Sequence, residues 1–323
     1  MTGLHFTRLD PLARTRPERR ASVDRVIDAM NRAEEAISRS AGPALDRLAD
    51  WFFDLRRSLS PQDWAAAIRE SIWPHPLLSV LHEEPLTARA FRKPRGYAGD
   101  AVMLDFMYGE GPPVDCASAF GRELHMSIVR RPASRSVRYR CDLLASLIDE
   151  SAHTVDRPRI LAIACGHLRE AARSYAVRCG AVSELVAVDQ DPESLANVAR
   201  VYEGRPVRPV KSSVRRILTG AIEGSFDFVY SAGLYDYLPD AVAAALTRTL
   251  LAKLRPGGRL VVANFTPDLP DAGYMEAAMD WRLIYRDERQ LRQFASEAPG
   301  VAVETFRDPD GNVVYLDLSR RPR

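Results

Sequence analysis

Residues Arg159 to Asp191, RILAIACGHLREAARSYAVRCGAVSELVAVDQD, read as a strand, a tight turn, a helix and a second strand. Ile160 to Ala164 is an apolar run too short for a helix and bounded by turn residues. Cys165-Gly166-His167 forms the turn. Leu168 to Cys179 has helical spacing, with Leu168, Ala171, Ala172 and Tyr175 on one face, and Gly180 is placed to end that helix. Leu185 to Val188 is the next strand, and it ends at Asp189. A strand of this kind delivers the chain to the top of a parallel sheet. The small turn then lets backbone approach a ligand, with the helix N-terminus facing it. An acid about 20 residues on, at the tip of the second strand, accepts hydrogen bonds from ribose hydroxyls. Gly166 and Asp189 have that spacing.

Dinucleotides and S-adenosylmethionine share this architecture, so the details of the turn decide between them. The dinucleotide pattern G-x-G-x-x-G is absent, and the turn A-C-G-H-L carries one glycine. A cofactor without a pyrophosphate needs less close backbone approach, so a single glycine damages the dinucleotide reading more. At this point the chain resembles class I S-adenosylmethionine-dependent methyltransferases. The resemblance places Gly166 under the methionyl part of the cofactor, Asp189 on the ribose diol and Gln190 beside the adenine. It also shows departures: the acid often found in the first strand falls at Ala162, and two family glycines fall at Ala164 and Leu168.

A length of 323 residues suggests about two domains. Hydrophobic content of 46% with 27% charged residues is that of a globular chain with ample core. No apolar run reaches the length of a membrane span, and MTGLHFTRLDPLARTRPERR lacks the apolar core of a secretory signal. Cys116, Cys141, Cys165 and Cys179 show no paired metal spacing, so no metal is expected, and they suit a reducing cytoplasm. Net charge is +2 and no basic block carries interleaved aromatics, which argues against a nucleic-acid partner.

Ahead of the central stretch, residues 1–20 read as a mobile Arg- and Pro-rich arm. Residues 21–125 read as a helical N-terminal domain acting as lid or substrate domain. Its aromatic stripes, Trp51, Phe52 and Trp64 among them, are most simply core. The loop Lys93-Pro-Arg-Gly-Tyr-Ala-Gly-Asp100 holds a guanidinium, a phenol and a carboxylate close together, and it suits a cover over the sheet's ligand. Residues 126–323 are the sheet domain. After Asp189 come a helix (Pro192 to Tyr202), a third strand (Val207 to Val210) and Lys211-Ser212-Ser213 at its tip. Phe226 to Ser231 is the fourth strand. The loop after it carries Tyr235, Asp236 and Tyr237, where ligands of such sheets lie. Ala241 to Leu254 is a helix ended by Arg255-Pro-Gly-Gly-Arg259, Leu260 to Phe265 is the fifth strand, and Asn264 meets the ligand face. Asp271 to Tyr285 reads as a helix whose Met275, Met279, Trp281, Ile284 and Tyr285 either line a substrate pocket, the preferred reading, or simply pack. Val301 to Phe306 and Val313 to Leu318 form a hairpin about Asp308-Pro-Asp-Gly-Asn312. That antiparallel last pair belongs to methyltransferase sheets and separates them from dinucleotide-binding ones.

KPRGYAGD (93–100), ACGHLRE (164–170), YSAGLYDYL (230–238), NF (264–265) and DWRLIYR (280–286) together resemble a narrower group. These are bacterial fatty-acid methyltransferases, in which the carboxylate of a hydroxy-fatty acid is methylated. The fold expected is α/β, a class I methyltransferase (Rossmann-like) sheet with an antiparallel last strand and a helical N-terminal domain. The expected cofactor is S-adenosylmethionine. Its contacts are Arg95, Ala164, Gly166, Asp189, Gln190, Ser212, Ser213 and Ser231, with Arg95 pairing the methionyl carboxylate. Tyr97, Tyr235 and Asp236 are expected at the reacting centre. The reaction expected is methyl transfer to a small or lipid-like acceptor. Two alternatives remain open: self-cyclisation of S-adenosylmethionine with release of methylthioadenosine, and cofactor binding without turnover.

Overall fold

The chain, here a computed structural model, is described over residues 16–109, 118–295 and 299–322. It divides into two compact units, Met1–Arg135 with Asp268–Arg282, and Ser136–Pro267 with Leu283–Arg323. The boundary expected at 125/126 stands ten residues before this division. Most of the expected arm, and Cys116, lie outside the described residues.

The first unit is helical. Its elements are α1 (Arg16–Arg39), α2 (Ala41–Ser58), α3 (Pro61–Ala67, continued by a π turn Ile68–Ile72), α4 (Pro76–Leu81) and α5 (Pro85–Arg92). Then follow α6 (Ala101–Tyr108), α7 (Ala119–Ile128) and the start of α8 (Pro132–Thr154). Several starts obey local rules. Ser60 caps α3 by accepting from Asp63 N, with Pro61 in the first turn. Asp100 caps α6 through Met103 N, 2.8 Å away, and is held by a two-pronged ion pair from Arg89. Trp51, Phe52 and Trp64 are buried.

Segment 268–282 belongs to this helical unit because its buried polar groups are satisfied there. Asp271 accepts from Arg131 Nε at 2.6 Å and from Ala133 N at 2.6 Å. Glu276 accepts from Arg56 Nε and from the Trp64 indole. The helix expected over 271–285 is shorter, Ala272–Ala278. It stops because Asp280 turns left-handed (φ 44°), and residues 281–287 carry no regular structure. Met275, Met279 and Trp281, expected to line a pocket, are buried in the packing of this unit instead.

At Gly273 a Cβ would stand 2.4 Å from the backbone carbon and oxygen of Phe52. Backbone cannot yield as a flexible side chain does. Gly273→Ala is expected to lower stability by about 3 kcal/mol by prying α2 from Ala272–Ala278. A chemical denaturation midpoint equal to that of the natural chain would refute this close approach.

The second unit is a seven-stranded sheet of order β3-β2-β1-β4-β5-β7-β6. Its strands are β1 (Arg159–Ile163), β2 (Glu184–Asp189), β3 (Val207–Lys211), β4 (Phe226–Ser231), β5 (Leu254–Phe265), β6 (Val301–Arg307) and β7 (Val313–Arg320). The first five are parallel, while β7 runs antiparallel to both β5 and β6. The expected hairpin and antiparallel last pair are therefore present. Strand β1 is apolar at every position from Ile160 to Ile163 because both faces of a central parallel strand are covered.

Helices α9 (Arg169–Arg173), α10 (Tyr175–Arg178), α11 (Pro192–Val201), α12 (Val214–Leu218), α13 (Asp240–Leu251) and α15 (Glu288–Gln293) complete this unit; Ala272–Ala278 is α14. The single helix expected over 168–179 is thus two. Ser174 is extended (ψ 127°) and caps the second piece by accepting from Val177 N. Asp149 on α8 accepts from Tyr175 N and Ala176 N, so long-range capping offsets the broken turn. Strand β5 also begins earlier than expected, at Leu254.

Candidate functional site

Three residues of the turn after β1 carry positive φ: Ala164 at 54°, Gly166 at 53° and Leu168 at 55°. These are the positions where the class I resemblance puts glycines. The backbone keeps the glycine conformation where the side chains have changed, which costs about 1–2 kcal/mol per non-glycine residue. Ala164→Gly is expected to raise stability by about 0.5–1 kcal/mol, since relief of strain outweighs the entropy glycine adds to the unfolded chain. Leu168→Gly is expected to act oppositely, because Leu168 is buried and its burial is worth about 2–3 kcal/mol. Paired thermal melts check the opposite signs.

Asp189 at the tip of β2 fixes this turn from below. Its Oδ2 accepts from Gly166 N at 2.8 Å, and its Oδ1 accepts from Asp191 N at 2.9 Å. Burial pushes its carboxyl up from the usual range, and the backbone donors at Asp191 and Gly166 oppose that shift. Ser212 N donates to the Asp189 carbonyl at 2.9 Å, so the β3 tip is stitched to the β2 tip. The Ser212 hydroxyl is buried and has no hydrogen-bond partner among the described residues. Gln190 stands exposed beside them. Gly166, Asp189, Gln190 and Ser212 therefore come together at the C-terminal ends of neighbouring strands.

Other candidates fall elsewhere. Ser213 is spent as the cap of α12, accepting from Arg216 N. Ser231 is fully buried and donates to Ile163 O at 3.1 Å, so it ties β4 to β1 and does not face a ligand. Tyr235 is a correction: its ring is fully buried and its hydroxyl lies 2.9 Å from Thr247 Oγ1 on α13, within the apolar core. Burial holds that phenol well above its ordinary range. Asp236 is likewise internal. Its Oδ1 accepts from Phe265 N at 2.8 Å, its carbonyl accepts from Ile284 N at 2.7 Å, and burial pushes its carboxyl up to about 6. Asn264 is buried as well, donating to Ile284 O and Phe265 O. Arg95 and Tyr97 belong to the first unit and are half-buried on the loop between Lys93 (φ 49°) and Asp100.

Sequence reasoning missed three residues on one face of the sheet. Tyr230 pairs in register with Ala162 on the neighbouring strand, and its hydroxyl donates to Glu170 Oε1 at 2.8 Å. Burial raises the Glu170 carboxyl and pushes the Tyr230 phenol far up. Arg140 on α8 is buried, donates to Ala232 O after β4, and places its charge near both Glu170 and Asp236. Sequence separations of 60 for the Tyr230–Glu170 bond and 92 for Arg140–Ala232 hide these contacts from any local pattern. The one available signal was the missing acid at Ala162. Among the described residues no group of acids, histidines and cysteines has the arrangement of a metal site.

Residues 160–258 match the family of methyltransferase domains. Among solved structures, the chain is similar to a possible exported protein of Bordetella parapertussis, with 19% identity and a TM-score of 0.62. That match covers 96% of this chain and 100% of the other, and it is a likeness of fold. Magnesium protoporphyrin IX methyltransferase of Synechocystis PCC 6803, with bound SAH, matches at 12% identity and a TM-score of 0.44, over 59% of this chain and 88% of that one. The N-methyltransferase NodS of Bradyrhizobium japonicum WM9 matches at 14% identity and a TM-score of 0.41, with the same coverage of each chain. No curated protein matches. By this match residues 160–258 are a methyltransferase domain, which runs from β1 into β5 and contains the β1 turn, Asp189 and Ser212.

Proposed function

We propose that this chain methylates the carboxylate of a small or lipid-like acceptor. The observation that carries the reading is how the proton-accepting groups near the β1 and β4 ends are used. Tyr235 is bonded to Thr247 and Tyr230 to Glu170 within the core, Asp236 is buried against the Phe265 N–H, and the Nε2 of His167 is sealed from solvent. A hydroxyl or amine acceptor needs a base within reach of its proton, and a carboxylate needs none at neutral pH.

The residues present fit S-adenosylmethionine. The orphaned Ser212 hydroxyl offers an acceptor for the adenine amino group, and Asp189 retains lone pairs for the ribose diol. When bound, the cofactor supplies a methyl group on a sulfonium, ready for an anionic nucleophile. The chain's own part is to orient and to keep water out. Tyr237 and Ile284 are exposed apolar side chains, set near each other by the Asp236 O to Ile284 N bond. They give an apolar acceptor a surface beside the β4 exit.

The test supplies S-adenosylmethionine labelled in its methyl group and a panel of hydroxy-fatty acids and short acids. Label that becomes volatile as methanol on mild alkali, as methyl esters do, supports the reading. Label stable to alkali would show an N- or ether-linked product and refute carboxylate methylation.

A further inference from the structure

The cofactor's methionyl end is a zwitterion, and the second unit brings a buried carboxyl, Glu170, and a buried guanidinium, Arg140, together beside the turn after β1. Successive side chains along a strand point to opposite faces, and register partners on parallel strands share a face. Ala162 and Tyr230 are such partners, so the Tyr230 ring rises beside the position where an acid on the first strand is missing. Its hydroxyl ends 2.8 Å from Glu170, two residues beyond the left-handed Leu168 that closes the turn. The Glu170 carboxylate is therefore carried to that face by the helix after the turn. Arg140 lies close enough to act on it, and donates to Ala232 O just past the end of β4.

We propose that Glu170, oriented by the Tyr230 hydroxyl, takes the α-ammonium of S-adenosylmethionine, with Arg140 on the α-carboxylate side. The inference rests on the cofactor assignment and deepens it: the anionic contact has moved from strand β1 to helix α9. The buried carboxylate and the small side chain at 162 then have one explanation. An acid at 162 would crowd the Tyr230 ring and place a second negative charge beside Glu170. Arg140 supplies the positive charge on that side, which makes the contact expected of Arg95 unnecessary for the cofactor.

The test is calorimetric titration of the full chain with S-adenosylhomocysteine and with 5′-methylthioadenosine, which lacks the amino-acid end. Glu170→Gln keeps the volume and an acceptor for Tyr230 while removing the charge. It is expected to weaken S-adenosylhomocysteine about 10- to 100-fold and to leave 5′-methylthioadenosine within about twofold. Equal weakening of both ligands, or of neither, overturns the proposal. Should Glu170→Gln fail to fold, the natural chain itself decides: a desamino analogue of S-adenosylhomocysteine is expected to bind about tenfold or more weakly than the parent, and equal binding overturns the proposal. A natural chain that binds no S-adenosylhomocysteine would overturn the cofactor assignment and this inference together. Normal binding unaffected by Glu170→Gln overturns the inference alone.

Discussion

Asp189→Ala is expected to weaken binding of S-adenosylhomocysteine by about 100-fold or more. Each carboxylate oxygen spends one lone pair on backbone, at Gly166 N and Asp191 N, and keeps capacity for a ribose hydroxyl. Two hydrogen bonds to a charged acceptor are worth about 1.5–3 kcal/mol each, and the lower end of their sum, about 3 kcal/mol, already gives a factor of about 100. The substitution also releases the Gly166 N–H, the tether that holds the strained turn in place. Asp189→Asn keeps an oxygen for one backbone donor, so its expected loss is smaller, about tenfold. Calorimetry reads both values. Unchanged affinity in Asp189→Ala would mean that the acid at the β2 tip serves the turn alone.

Arg286→Met is expected to cost about 3 kcal/mol of stability or more, since three buried acceptors lose their donor at about 1–3 kcal/mol each. Among the described residues Arg286 is the largest fully buried side chain. Its guanidinium donates to Tyr235 O at 2.8 Å, to Asn264 Oδ1 at 2.9 Å, to Leu238 O and twice to Asp240 Oδ1. Methionine fills much of the volume but leaves two carbonyls and the Asn264 oxygen without a donor, away from water. Asp240 itself is exposed and regains solvent. The cost therefore comes from the backbone of residues 235–238, which forms the loop after β4. Arg286→Lys keeps the charge without the fork, so only part of the loss returns. The midpoint of urea unfolding measures it, and a midpoint unchanged by Arg286→Met contradicts the role given to the guanidinium.

The sheet was legible because its evidence is local. Apolar runs of strand length, the β1 turn and the Asp308–Asn312 hairpin signal each lie within a short window, and the strands and the hairpin are found where these place them. Local pattern failed where a distant partner decides. The helix at 168–179 breaks because Asp149, 26 residues away from Tyr175, caps a second start at Ser174. Tyr235 looked like a residue of the reacting centre because the loop after β4 faces ligands in such sheets. Its hydroxyl instead finds Thr247 on the helix that follows.

The same limit governs the site. The turn and the β2 acid share one stretch of sequence, whereas Arg140, Glu170 and Tyr230 meet only when α8, α9 and β4 pack together. The glycines replaced at 164 and 168 were visible, but only the positive φ values show that the turn keeps its shape without them. Asp271 to Tyr285 read as the wall of a substrate pocket because they follow β5, yet Asp271 and Glu276 find their partners in the helical unit.

The most direct test of the account incubates the purified chain with S-adenosylmethionine, with and without a panel of fatty and short carboxylic acids, and identifies the nucleoside products by mass spectrometry. Methyl transfer to a carboxylate yields S-adenosylhomocysteine, formed only when an acceptor acid is present. Methylthioadenosine formed without any acceptor would contradict methyl transfer and show that the cofactor is consumed by attack within itself.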